Sequence, residues 1–242
     1  MAVVAGCSHG AANAPEPATT RPPALTPQQK QESSIAVQRS RVLKAFGAFL
    51  TAAGKHDAAG MWTMLSRRTQ ERLGPTLAAF RHNEAKTLAA SPGDLASSQG
   101  DLLVAEPLSR TFAVIAIGAE LGAQHRYTVY AATLRREGNA WKVELGAPVH
   151  LTPLRPRADE AVTGGQHQVA AGIVAESAPV ADAALWLDGH AVPGEASGND
   201  KRHITVFANL TAQPDPGRHT VVAYARAGRE ATAIAWTYRL SP

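Results

Sequence analysis

At 242 residues, with 45% hydrophobic and 18% charged side chains, the chain has room for one large or two ordinary globular domains, and disorder along its whole length is excluded. Its net charge of +4 is uneven: residues 33–150 carry fourteen basic and nine acidic groups (net +5), and residues 151–242 eight and nine (net −1). The basic segment has only Arg67-Arg68 and Arg135-Arg136 as tight pairs, so no nucleic-acid partner is expected, and a single cysteine excludes an intrachain disulfide.

The chain opens with Val4-Ala5-Gly6-Cys7, an aliphatic residue and two small ones before a cysteine. This resembles the lipobox of bacterial lipoproteins, where small residues suit a signal peptidase and the cysteine thiol receives a diacylglycerol. The resemblance implies lipidation at Cys7, a membrane partner through that lipid anchor, and an extracytoplasmic place in a bacterial cell envelope or periplasm. Six residues before Cys7 fall short of a basic n-region and an apolar h-region of ~7–15 residues, so residues 1–7 read as a truncated signal peptide, with a longer leader expected in the gene product. Residues 8–32 hold Pro15, Pro17, Pro22, Pro23 and Pro27 among few large apolar side chains. Such a segment reads as a disordered, semi-stiff tether.

Residues 33–150 read as a first domain. Ser33 or Ser34 can cap a helix running towards Ala53, with Ile35, Val42, Phe46, Phe49 and Ala53 as its apolar stripe and Gly54 as its stop. Asp57 suits the N-cap of a second helix through Arg72, with Trp62 and Leu65 inward. Pro75 suits the first turn of a third helix carrying Leu77, Phe80 and Leu88, ended by Ser91-Pro92-Gly93. Strands follow. Leu102–Ala105 is short, Phe112–Gly118 is apolar on both faces and so central, and Tyr127–Arg135 leads to a Gly138-Asn139 hairpin turn. Trp141, Val143 and Leu145 alternate with Lys142 and Glu144, the mark of a strand with one wet face.

This order of elements, ending in the Gly138–Glu144 hairpin, resembles the nuclear transport factor 2-like superfamily, which includes ketosteroid isomerase. The resemblance implies an α+β cone of three helices packed on a curved antiparallel sheet, with a pocket between the layers. Tyr127 and Tyr130, on opposite faces of their strand, are candidate proton donors, and Trp62 and Trp141 candidate lining residues. Ordinary strand and core packing explains all four as well. Glu106, Glu120 and Glu144 fall at strand ends or on the wet face, so no base is placed.

Pro148, Pro153 and Pro156 mark residues 151–164 as a linker. Residues 165–242 then show short β runs at near-regular spacing (169–175, 184–187, 204–207, 220–225 and 231–240), which indicates an all-β sandwich. The segments Leu185-Trp186-Leu187-Asp188-Gly189, Gly217–Ala225 and Ala235-Trp236-Thr237-Tyr238 resemble bacterial immunoglobulin-like domains. That resemblance implies a tryptophan on a middle strand filling the space between sheets, and a hairpin tip at Ala227-Gly228-Arg229-Glu230.

Nine histidines give no metal-ligand spacing: His56-Asp57 and His82-Asn83-Glu84 are the nearest groupings, and both read as solvated helix ends. No nucleophile elbow or phosphate loop occurs, and no cofactor is expected. The function expected is non-catalytic: an envelope binding or accessory module for a protein or a small apolar ligand. A lyase or isomerase using the first domain, and a structural spacer of an envelope complex, are the alternatives.

Overall fold

The computed structural model describes residues 26–83, 85–96, 98, 100–122, 126–163, 165 and 167–242; Cys7 and the tether up to residue 25 lie outside the described residues. The first helix, α1, spans Pro27–Gly54 and so begins inside the segment expected to be tether. Pro27 is tolerated in a first turn, and the Gln, Lys and Glu after it are good helix formers. Ser33 and Ser34 therefore lie within the helix, not at its cap. Val42, Phe46, Phe49 and Ala53 form the buried stripe the spacing predicts, but Ile35 at its head is 49% exposed.

The expected second helix is divided into α2 (Ala58–Met64) and α3 (Arg67–Leu73). Asp57 caps α2, Oδ1 accepting from Gly60 N at 3.0 Å. The break is tertiary in origin. Ser66 N donates to Val143 O at 2.8 Å, and Ser66 Oγ accepts from Thr69 N at 3.2 Å to start α3. Then come α4 (Leu77–Asn83) and α5 (Ala85–Ala96), making five helices among the described residues where three were expected. Helix α5 runs through Pro92, the expected stop. Gly93 packs on α1 so closely that a Cβ would sit 3.2 Å from Ala53 O; this packing holds a turn that local propensity disfavours.

Strands β1 (Asp101–Pro107), β2 (Phe112–Leu121), β3 (Arg126–Glu137) and β4 (Ala140–Glu144) form an antiparallel meander in that order. Its inner face, with Ala113, Ile115, Ala132, Leu134 and Val143, packs on Phe46, Phe49, Met61, Leu65 and Phe80 from the helices. Most of the expected linker is strand: residues 151–155 lie in β5 (Val149–Arg155) and 161–163 in β6 (Ala161–Thr163), joined by a turn at 156–160. Proline is compatible with an edge strand, and β5, which contains Pro153, is an edge.

The remaining strands are β7 (Gln168–Ala175), β8 (Val180–Leu187), β9 (His190–Val192), β10 (Glu195–Asp200), β11 (His203–Asn209), β12 (Gly217–Ala227) and β13 (Glu230–Ser241). They complete two facing sheets, β10-β11-β7-β5 and β6-β13-β12-β8-β9. Val169, Ile173, Leu185, Val206, Val221, Trp236 and Tyr238 fill the space between them, so the expected sandwich is present. Trp236 is the intersheet tryptophan, its Nε1 donating to Pro156 O at 2.9 Å.

Trp186 faces the other way. It is 1% exposed and packs with Val222, Tyr224, Ala231 and Ala233 against Val104, Phe112, Val114 and Ala116 of the meander. The sandwich thus covers the outer face of the first sheet. Helices, meander and the two sandwich sheets stack as four layers around three cores, and β2 is apolar on both faces because both are buried.

Candidate functional site

The aromatic residues singled out in the sequence do not converge on one pocket. Trp62 is half-buried against Phe80, ring centroids 5.3 Å apart. Tyr130 lies nearly parallel to the Phe46 ring at 6.2 Å, and burial pushes its hydroxyl pKa well up. Both rings fill the helix–sheet layer. Tyr127 projects from the opposite face, as its spacing from Tyr130 predicts. There the Arg218 guanidinium sits 3.8 Å from its ring centroid, and Gly118 leaves the ring room. Burial raises the Tyr127 pKa, with Asp101 adding to the rise and Arg218 opposing it.

Glu144 overturns the expectation of a wet face on β4: its side chain is fully buried. Arg135, across the hairpin on the same face, grips it with one guanidinium edge, Nε donating to Oε2 and Nη2 donating to Oε1 at 2.7 Å. The same Nη2 donates to Arg229 O at the predicted tip of the β12–β13 hairpin, and the guanidinium lies 4.6 Å from the Phe112 ring centroid. Arg72 Nη1 donates to Glu230 Oε2 at 2.9 Å while its Nη2 donates to Leu145 O at 2.8 Å, and Arg68 also pairs with Glu230. Thr133 Oγ1 stands 3.2 Å from both Glu144 O and Ala231 O. Burial pushes the Glu144 carboxyl above the usual carboxylate range despite Arg135. This cluster joins α3, the meander and the sandwich. Its chemistry is that of a buried ionic joint, with every carboxylate already gripped by arginine.

A second polar group missed in the sequence is His219, buried on β12. Its Nδ1 meets Asp188 Oδ2 at 2.8 Å and its Nε2 meets Asp215 O at 2.6 Å. Asp188 Oδ1 also accepts from Thr220 N at 2.8 Å. Both ring nitrogens are engaged within the fold, so the ring offers no free ligand atom. Among the described residues no group of three or more His, Cys, Asp or Glu is placed to hold a metal ion. Among them, too, no helix is long and apolar enough to cross a membrane.

Trp141 is buried in the helix–sheet core, and its edge reaches an open cleft of about 450 Å³ at one end of that layer. Its Nε1 donates to Gln38 Oε1 on α1 at 3.2 Å. The β1–β2 turn closes another side, where Ser109 Oγ accepts from Thr111 N at 3.1 Å and Phe112 N at 3.0 Å. Arg136, the cross-strand neighbour of Trp141, and Arg110 of the turn complete the rim. Sequence spacing brought out Trp141 alone; the other residues come from three elements that only folding brings together.

No protein-family model matches the chain, and no curated protein matches it. Solved structures similar to part of it include an endo-β-1,4-mannanase from Thermotoga petrophila (11% identity, 38% of this chain and 19% of that one, TM-score 0.31). Another is a titin M10–obscurin-like 1 immunoglobulin complex (15% identity, 40% and 98%, TM-score 0.28). A third is a glucan-utilisation protein of Bacteroides ovatus in complex with a mixed-linkage heptasaccharide (11% identity, 54% and 41%, TM-score 0.23). Immunoglobulin-like domains are thus among the neighbours, but at these scores they assign no activity. The sandwich rests on its own strand pairing.

Proposed function

We propose that this chain is a non-catalytic envelope lipoprotein, anchored to a membrane through Cys7, whose body serves as a binding or accessory module. In this reading the first unit is a nuclear transport factor 2-like cone and the second an immunoglobulin-like sandwich. The observation that carries the non-catalytic part is the packed helix–sheet layer. A steroid-isomerase-type site needs a carboxylate base and a proton donor converging in an apolar pocket. Here Tyr130 is stacked on Phe46, and its inward neighbours on the sheet are Ile117 across the strand pair and Ala132 along its own strand. The Val4–Cys7 motif supports the anchor.

A spacer role is favoured by a different observation. The core around Trp186 and the ionic joint at Glu144 weld the two units into one body, suited to holding a bound partner at a set distance from an anchor. Metabolic labelling with a radioactive fatty acid tests the anchor in bacterial cells expressing the chain behind a functional leader. The wild type is expected to take up label and sediment with membranes, and Cys7→Ala to lose both properties. Equal labelling of the two, or none of either, refutes the lipoprotein assignment.

A further inference from the structure

We propose that the cleft beside Trp141 binds a small organic anion, a carboxylate or phosphate carried on a short apolar body. The proposal rests on the binding-module reading above but not on the anchor. Its first support is the sign of the polar groups. Ser109 Oγ accepts two backbone N–H bonds, at 3.1 and 3.0 Å, which leaves its own proton free to donate. Gln38 spends its carbonyl oxygen on Trp141 Nε1, which leaves its amide N–H groups. Arg136 uses Nε on Gly138 O at 3.2 Å, which leaves its terminal nitrogens. Arg110 stands exposed on the same rim, in no ion pair among the described residues. Each of these four groups has a donor left to offer, and among the described residues no carboxylate lines the cleft. A site so built attracts an acceptor-rich anion and repels a cation.

The second support is the wall. The Trp141 edge and Ile35, left 49% exposed at the point where α1 leaves the body, give the cleft an apolar side. An isolated exposed isoleucine needs no explanation, but this one flanks an aromatic edge and two arginines. The volume, about 450 Å³, lies in the range of small-molecule sites. Arg136 and Trp141 are held rigidly as a cross-strand pair, and Arg136 N donates to Thr111 O at 2.8 Å, which ties the turn bearing Arg110 to the same frame.

Calorimetry and tryptophan fluorescence on the full chain decide the matter, with octanoate and octyl phosphate as probes beside octanol and octylammonium. At least one anion is expected to bind, and the stronger names the headgroup; the alcohol and the cation are expected not to. Charge-assisted hydrogen bonds at the rim predict that Arg110→Gln and Arg136→Gln each weaken binding about tenfold or more. Because Arg110 is exposed, its replacement leaves the fold intact, which a thermal melt verifies. Trp141→Phe is expected to abolish the fluorescence change while calorimetric binding persists. Binding of octanol as tight as the anions, or anion binding untouched by both arginine changes, overturns this site and leaves the binding-module reading standing. No heat with either anion up to about 5 mM overturns the site too. Fatty-acid labelling at Cys7 is independent of all these results.

Discussion

Replacing Arg135 by Met strips Glu144 of its bidentate partner while leaving the carboxylate buried between the meander and the sandwich. Breaking a buried pair from one side costs about 3–5 kcal/mol, because the orphaned charge is neither solvated nor paired. Arg72 does not make up the loss: its nearest nitrogen is 4.0 Å from Glu144 Oε1, and it is already committed to Glu230 and Leu145 O. For a chain of this size the expected fall in Tm is roughly 6–20 °C. Removing both charges with Arg135→Met/Glu144→Leu takes away the orphan, so the double variant is expected to return to within about 1–2 kcal/mol of wild type. The defect also has a pH signature. The folded Glu144 carboxyl lies above its ordinary value of 4.5 because burial opposes its charge. The native chain therefore keeps a proton that the unfolded chain releases, and the associated stability is full below about pH 4.5 and lost as pH rises. Arg135→Met strengthens that effect, so its defect should be smallest in acid and grow towards neutrality. Urea denaturation of wild type and both variants between pH 4 and 8, at about one-unit steps, measures this. Equal destabilisation of single and double variants, or a defect independent of pH, would refute the idea of an orphaned buried charge.

Two further outcomes test the joint between the units. Trp186→Ala empties the core shared by the meander and the sandwich and should cost about 3–5 kcal/mol by calorimetry; an unchanged Tm would mean that the two faces are not packed together. Gly189→Ala puts a Cβ 2.6 Å from Leu103 O, at a residue with φ of 81°, and should lower the urea midpoint by an amount equivalent to about 1–3 kcal/mol, whereas no shift would place the β8–β9 turn away from β1.

Much of the element order was legible from local pattern. The stripe of Val42, Phe46, Phe49 and Ala53 orients α1, Asp57 caps α2, and Gly138-Asn139 turns the β3–β4 hairpin, because each is decided within a few residues of chain. Local pattern fails where distant contacts override local preference. Ser66 divides a helix because Val143 O accepts its N–H. Pro92 stays helical because Gly93 seats α5 on α1. The prolines that suggest a linker lie in and beside β5, an edge strand that tolerates them. The cleft was invisible in the sequence for the same reason: Gln38, Ser109, Arg136 and Trp141 come from three separate segments.

For an alternating strand such as β4, the sequence by itself determined which side is apolar. Trp141 and Val143 alternate with Lys142 and Glu144, and that period alone places the first pair against the helices. It did not determine what meets the other side. A charged residue in alternation looks the same whether water or an arginine faces it, and Glu144 is buried only because the hairpin bearing Arg229 and Glu230, far along the chain, closes over it. Whether a polar face is wet depends on which surfaces the finished fold leaves uncovered, and only the tertiary structure decides that.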